Sequence, residues 1–178
     1  MAADGRADGA AGAARGLVGI HVVRRAAQAE ALRALGAEHV LVSSDADFTD
    51  RLAARCRDLR ATIAFDAVAG DITGQLVEAL PDGGEVVVYG ALSAQPCGAI
   101  DPMVLAFQHK SVRGFEIAGH LETIGLIGSF RLATAAQKLI VSGVASTQVR
   151  ERVKLAEGPA KLADYVRSMS EGKVLLTP

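Results

Sequence analysis

The chain has no Gly-x-Gly-x-x-Gly at any strand-to-helix turn, so the usual glycine-rich cradle for a nucleotide pyrophosphate is missing. Cysteine is scarce. Cys56 and Cys97 stand far apart, and with four scattered histidines they make no zinc-ligand spacing and no disulfide framework. Both read as reduced thiols, Cys56 on a helix and Cys97 in a loop. Excess charge is absent too: the formal net charge of -1 argues against a nucleic-acid partner or a polybasic membrane surface. No apolar run reads as long enough to cross a bilayer, and the N-terminus has no apolar segment of the secretory kind. The expected location is cytoplasmic. Residues 1–15 are Ala, Gly, Asp and Arg with no large apolar side chain beyond Met1, which predicts disorder or a fraying helix.

What remains is ample for a core. Half of the 178 residues are hydrophobic and 22% are charged, which fits one domain, or one domain plus a fragment of another.

The stretch Gly16–Ser44 sets the pattern. A short apolar run ending in Val22-Val23 is stopped by Arg24-Arg25. Ala29, Leu32, Ala34 and Leu35 then recur at helical spacing, and Gly36 suits the helix end. Val40-Leu41-Val42 forms a second apolar run. Strand, helix, strand at this spacing is a βαβ unit, the seed of a parallel sheet. Open α/β sheets bind ligands beyond the carboxyl ends of their strands. Arg24 and Arg25 stand at such an end, where a carboxylate would select NAD and an arginine accommodates the 2′-phosphate of NADP. A solvated strand end explains two arginines equally simply.

The alternation continues. A helix is predicted from Phe48 to Leu59 with Asp47 as N-cap, and a buried strand over Ala61–Val68. Another helix covers Ile72–Leu80, a turn Pro81–Gly84, and a strand Glu85–Gly90. After a loop, a short helix spans Pro102–Phe107 with Asp101 as cap, and a strand Ser111–Ile117 follows. This order argues for a doubly wound sheet. The last third predicts a helix over Thr123–Val141 stopped by Gly143. It then gives a charged alternating strand Val149–Leu155, a helix Pro159–Met169 and a terminal strand Gly172–Pro178. These last elements do not naturally extend the sheet. Asp66 is read either as a cap for nearby backbone amides or as a plain structural carboxylate, His21 as a core histidine, and His109 and His120 as loop residues.

With these residues laid out, the chain resembles the medium-chain dehydrogenase/reductase superfamily, most of all its zinc-free NADPH-dependent quinone oxidoreductases and 2-enoyl thioester reductases. The resemblance rests on Val-Val-Arg-Arg (22–25), Leu-Gly-Ala-Glu-His-Val (35–40), Phe-Asp-Ala-Val-Ala-Gly (65–70), Val-Tyr-Gly-Ala-Leu-Ser (88–93), Lys-Ser-Val-Arg-Gly-Phe (110–115) and Gly-Lys-Val-Leu-Leu (172–176). It implies an α/β fold: an incomplete Rossmann-like, doubly wound parallel sheet lacking its first strand, with a C-terminal remnant of the catalytic domain. Residues 16–145 would form the partial nucleotide-binding domain and 146–178 the catalytic-domain remnant.

The resemblance also implies NADPH as cofactor and assigns its contacts by position. Arg24 and Arg25 match the 2′-phosphate pair, and Ala67 and Val68 the stretch near the adenosine and ribose. Tyr89, Gly90, Ala91 and Leu92 match the turn against the nicotinamide, Phe115 and Ile117 the strand end at the carboxamide, and Lys173 a lysine reaching the cofactor. Gly90 is read as letting backbone approach a flat ring. Tyr89 also reads as an ordinary strand aromatic, and Lys173 also as a solvated surface charge. No catalytic acid and no metal ligand can be named.

The family begins with a catalytic, mostly β domain that this sequence does not show, and strand one would be central in the order 3-2-1-4-5-6. Its absence implies a gap between the strands at Ile20 and Ile63. Where the family often has tryptophan beside the carboxamide, this chain has Glu116, a carboxylate that would disfavour an anionic substrate. Hydride transfer from NADPH to a quinone or an activated enoyl double bond is the implied chemistry, weak or absent in the chain alone. The alternative is a non-catalytic nucleotide-binding or dimerising module, pairing through an edge strand at Val112–Ile117.

Overall fold

A computed structural model describes residues 16–143, 149–167 and 172–178. The segment 1–15 of the opening expectation lies outside the described residues. The chain divides into two units, one of residues 1–40 with 135–178, the other of residues 41–134.

In the first unit, β1 (Ile20–Val23) leads into α1 (Ala26–Ala34). Ala29 and Leu32 are the buried face of α1, with Val23 and Val40 buried nearby in sequence on their strands. Gly36 takes φ 90° just past the helix, the left-handed value that its position predicts. β1 forms a two-stranded sheet with β2 (His39–Val42). At the other end of the chain, β6 (Val149–Lys154) and β7 (Lys173–Thr177) pair in parallel, joined through a 3₁₀ turn (Leu155–Glu157) and α6 (Gly158–Arg167). The alternating charges of β6 have an assignment. Arg150 pairs with Asp164 at 2.9 Å and Glu151 with Lys161 at 2.8 Å, tying strand to helix, while Val153 is buried.

The second unit holds α2 (Phe48–Asp58), β3 (Ile63–Asp66), α3 (Asp71–Ala79), β4 (Glu85–Val88), α4 (Pro102–Phe107) and β5 (Ser111–Gly114). The sheet order is β3-β4-β5, all parallel and in continuous register: Asp66 opposite Val88, Val88 opposite Gly114. β4 is central. Val86 and Val87 point to opposite faces and both are buried, the mark of a strand covered on both sides. Leu52, Thr73 and Val77 complete the core between α2 and α3. Asp101 caps α4 by accepting from Met103 N–H at 2.8 Å, with Pro102 in the first turn. Asp47 does sit at the N-cap of α2, but its carboxylate makes no cap bond and lies 3.6 Å from Arg51 instead.

Three expectations need correction. β3 is not a buried strand over its length. Ile63 and Phe65, alternate residues on one face of the strand, are exposed, Phe65 by 65%, and no strand of the described residues pairs with the outer side of β3. Among the described residues, β1–β2 and β3–β4–β5 are separate sheets.

The strand predicted to Ile117 ends at Gly114, and α5 (Ile117–Val141) begins six residues before the predicted Thr123. The cause is Glu116. Its side chain accepts from the amides of Ala118 and Gly119, both at 2.7 Å, and so starts a helix that apolar periodicity alone would not place there. His120 is therefore helical, not in a loop.

Finally, α5 is long and apolar enough to meet the length and composition of a membrane span, which the sequence reading did not find. Its geometry argues otherwise. Gly125, at φ 65° and ψ −175°, interrupts the helix. The longer piece, Leu126–Val141, rises only about 24 Å at 1.5 Å per residue, short of the ~30 Å hydrocarbon core, and it carries Arg131 and Lys138.

Candidate functional site

The second unit gathers most of the residues singled out in the sequence. The register that sets Asp66, Val88 and Gly114 side by side continues one step further. Tyr89 N–H donates to the Asp66 carbonyl at 2.9 Å and Phe115 N–H to the Val88 carbonyl at 2.9 Å. Ala67, Tyr89 and Phe115 are thus consecutive steps along one sheet edge, at the carboxyl ends of three parallel strands. Val68, Tyr89, Leu92 and Phe115 are all between 38% and 48% exposed. Large apolar side chains rarely collect half-bare at one edge without a ligand or partner to cover them. Ile117 stands in the first turn of α5, not on a strand end.

The loops leaving β3 and β4 are bonded to each other. Leu92 N–H donates to the Ala67 carbonyl at 3.2 Å, Ser93 N–H to Val68 at 2.8 Å, and Gly98 N–H to Gly70 at 2.8 Å. Gly90 is needed for this closeness. A Cβ there would meet the Ala67 carbonyl oxygen at 2.7 Å, so its bare Cα serves loop-to-loop packing. Gly98 and Ala99 cover the first turn of α3. A Cβ on Gly98 would lie 2.6 Å from Asp71 Cα, and one on Gly74 only 2.3 Å from the Ala99 carbonyl oxygen. The N-terminus of α3 is therefore occupied by the chain's own backbone.

Asp66 is 3% exposed and fully satisfied. One carboxylate oxygen accepts from Val68 N–H at 2.8 Å and Ala69 N–H at 3.0 Å; the other accepts from Thr73 Oγ1 at 2.7 Å. The capping reading of Asp66 is the one the geometry bears out. Glu116 is likewise a cap. Its two backbone bonds hold the carboxyl below the usual carboxylate range.

Two groups escaped the sequence reading. His120 lies against Phe115 with ring centroids 5.4 Å apart. The i, i+5 spacing across a strand-to-helix corner carries no periodic signal that would have shown it. Lys110 is buried and donates to the Glu78 carbonyl at 3.0 Å, at the C-terminal end of α3, where a cation complements the helix dipole. Burial raises the Cys56 thiol above its ordinary value, partly offset by the charge of Lys110. Cys97 is exposed. Among the described residues no three His, Cys, Asp or Glu side chains come together to hold a metal ion.

Arg24, Arg25 and Lys173 belong to the first unit. Arg24 and Arg25 are exposed just past β1, and Arg25 takes the N-cap position of α1, its N–H donating to Gln28 Oε1 at 3.1 Å. No carboxylate among the described residues pairs with Arg24. Lys173 opens β7 and is half-buried.

A parallel sheet with apolar, half-exposed strand ends and a bonded pair of crossover loops defines a Rossmann-like α/β domain. Residues 9–130 match the family of zinc-binding dehydrogenases, and the chain belongs to it. A mitochondrial enoyl-[acyl-carrier-protein] reductase of Caenorhabditis elegans is 28% identical over 149 residues, covering 81% of this chain and 43% of the relative. A solved structure from Mesorhizobium loti, assigned as an NADPH:quinone reductase, superposes with a TM-score of 0.76 at 30% identity over 95% of this chain and 48% of that one. A mutant enoyl thioester reductase of Candida tropicalis gives 0.75 at 20% identity, over 100% and 52%, and shows the fold alone. The chain spans about half the length of these relatives.

Proposed function

We propose that this chain is the nucleotide-binding part of an NADPH-dependent oxidoreductase that passes hydride to a quinone or to an activated enoyl double bond. The observation that carries the reading is the apolar edge at the ends of β3, β4 and β5, formed by Val68, Tyr89, Leu92 and Phe115. The names of the similar proteins, an enoyl reductase and an NADPH:quinone reductase, point the same way. When bound, the nicotinamide carries the hydride chemistry, and the protein binds and orients it. Tyr89 to Leu92 and Phe115 offer a flat apolar surface to the ring, and Ala67 and Val68 the adjoining surface to the adenosine. Arg24 and Arg25 supply planar, permanent cations for the 2′-phosphate. Lys173 is assigned to the same cofactor, and residues 146–178 to the catalytic domain.

On this reading the 178-residue chain alone binds NADPH weakly and turns over little, since its relatives are about twice as long. Among the described residues no strand pairs with the outer side of β5, which supports a homodimer through that strand, narrowed to Ser111–Gly114. The test is a fluorescence titration with NADPH, followed by NADPH oxidation with 1,4-benzoquinone. Saturable binding with negligible oxidation is the expected result. No binding at millimolar cofactor would refute the reading, and sub-micromolar affinity or rapid oxidation would refute the assignment of weak activity.

A further inference from the structure

We propose that Asp66 is the positioning residue of the cofactor edge: it fixes the loop after β3, and through that loop the loop after β4, without touching the ligand itself. The proposal rests on the cofactor reading above for its functional consequence, and on hydrogen bonds for its structural one. Three bonds converge on one buried carboxylate. Those to the amides of Val68 and Ala69 turn the chain sharply out of the strand, and the bond from Thr73 Oγ1 pins the turn to the first turn of α3.

The turn is not a relaxed one. Ala69 sits at φ 59° and Gly70 at φ 73°, ψ −153°. A non-glycine residue at positive φ needs its surroundings to hold it there. Once held, the loop presents three carbonyls outward in succession, and these accept from Leu92, Ser93 and Gly98. Remove the carboxylate, and the amides of Val68 and the buried Ala69 lose their acceptor, Ala69 has no reason to keep its strained φ, and the carbonyls that anchor residues 92–98 lose their alignment. Asp66 thus controls Tyr89–Leu92 from the neighbouring strand.

The experiment compares D66A, D66N and T73V in the full chain by residue-resolved amide exchange, with NADPH titration alongside. Asparagine keeps an oxygen for the two amides and offers N–H₂ to Thr73 Oγ1, so D66N should retain wild-type protection at Leu92, Ser93 and Gly98 and wild-type affinity. D66A should lose protection at these three amides by about tenfold or more, the equivalent of one buried hydrogen bond, and weaken NADPH by a similar factor. The amides of Val86 and Val87 should stay protected. T73V, which removes one bond of the three, should show a smaller loss at the same amides, and it decides the matter if D66A does not fold. Wild-type protection at residues 92, 93 and 98 in D66A or, failing that variant, in T73V overturns the proposal. So does a D66N variant as disturbed as D66A, which would assign the role to charge. A wild-type chain without NADPH affinity would instead refute the cofactor reading, and the exchange pattern would still decide the role of Asp66.

Discussion

Replacing Gly74 with alanine sets two effects against each other whose sizes decide the sign. Gly74 lies inside α3, where glycine is a poor helix former, and alanine there gains about 0.5–1 kcal/mol in an exposed helix. In this structure the new Cβ would stand 2.3 Å from the Ala99 carbonyl oxygen and 3.3 Å from its carbon. Relief requires the backbone at 98–99 to move by about 1 Å, and that backbone is held by the 2.8 Å bond from Gly98 N–H to Gly70. Overpacking costs about 1–3 kcal/mol, and loss of the bond about 0.5–1.5 more. The net is a loss of about 2 kcal/mol, or ~1 M in the urea midpoint at an m-value of about 2 kcal/mol/M. Gly83 is the control. It takes φ 76° with nothing within 4 Å of its would-be Cβ, so G83A costs strain alone, about 1 kcal/mol. Equilibrium urea unfolding of the two variants and the wild type measures both. A G74A midpoint at or above wild type would refute the packing of residues 98–99 onto α3.

Other perturbations have equally definite outcomes. Ala69→Gly relieves the φ of 59° and should raise stability by up to about 1 kcal/mol in the same assay, a gain that a relaxed loop would not give. Cys56 has a folded-state pKa raised by burial, so its contribution is complete below the unfolded thiol value of about 8.5 and is lost as pH rises through the folded value. The stability difference between wild type and C56A should therefore narrow in alkali, and a constant gap would contradict the burial. Glu116 behaves in the opposite sense. Its lowered pKa gives stability that is present above the unfolded carboxylate value and lost as pH falls through the folded one, so acid should deprotect the Ala118 and Gly119 amides, and E116A should do the same at neutral pH.

The legibility of the chain followed the range of the interactions. Elements set by local chemistry were readable: Gly36 after α1, Asp101 and Pro102 before α4, and the three valines of β4. The carboxylate of Asp66 was readable as a cap because its partners lie two, three and seven residues away. What could not be read depends on what packs against what. The exposure of Phe65 depends on what covers its face of β3, which no property of Ile63–Asp66 encodes. The helical spacing from Thr123 pointed to an element but not to its start, which a single side-chain cap at Glu116 determines. The crowding behind Gly90 and Gly74 is set by residues at distant positions in sequence, and glycine in a sequence does not say which neighbour excludes its Cβ.

The central claim is the proposed preference for a phosphorylated dinucleotide, with Arg24 and Arg25 as its phosphate contacts. The direct test is to titrate the wild-type chain with NADPH and with NADH under one set of conditions, and to repeat both with the R24A/R25A double variant. Two charge-assisted contacts to a phosphate predict at least about tenfold tighter NADPH binding in the wild type, and no preference in the variant. Equal affinity of the wild type for the two cofactors, or a preference that survives the loss of both arginines, would contradict it.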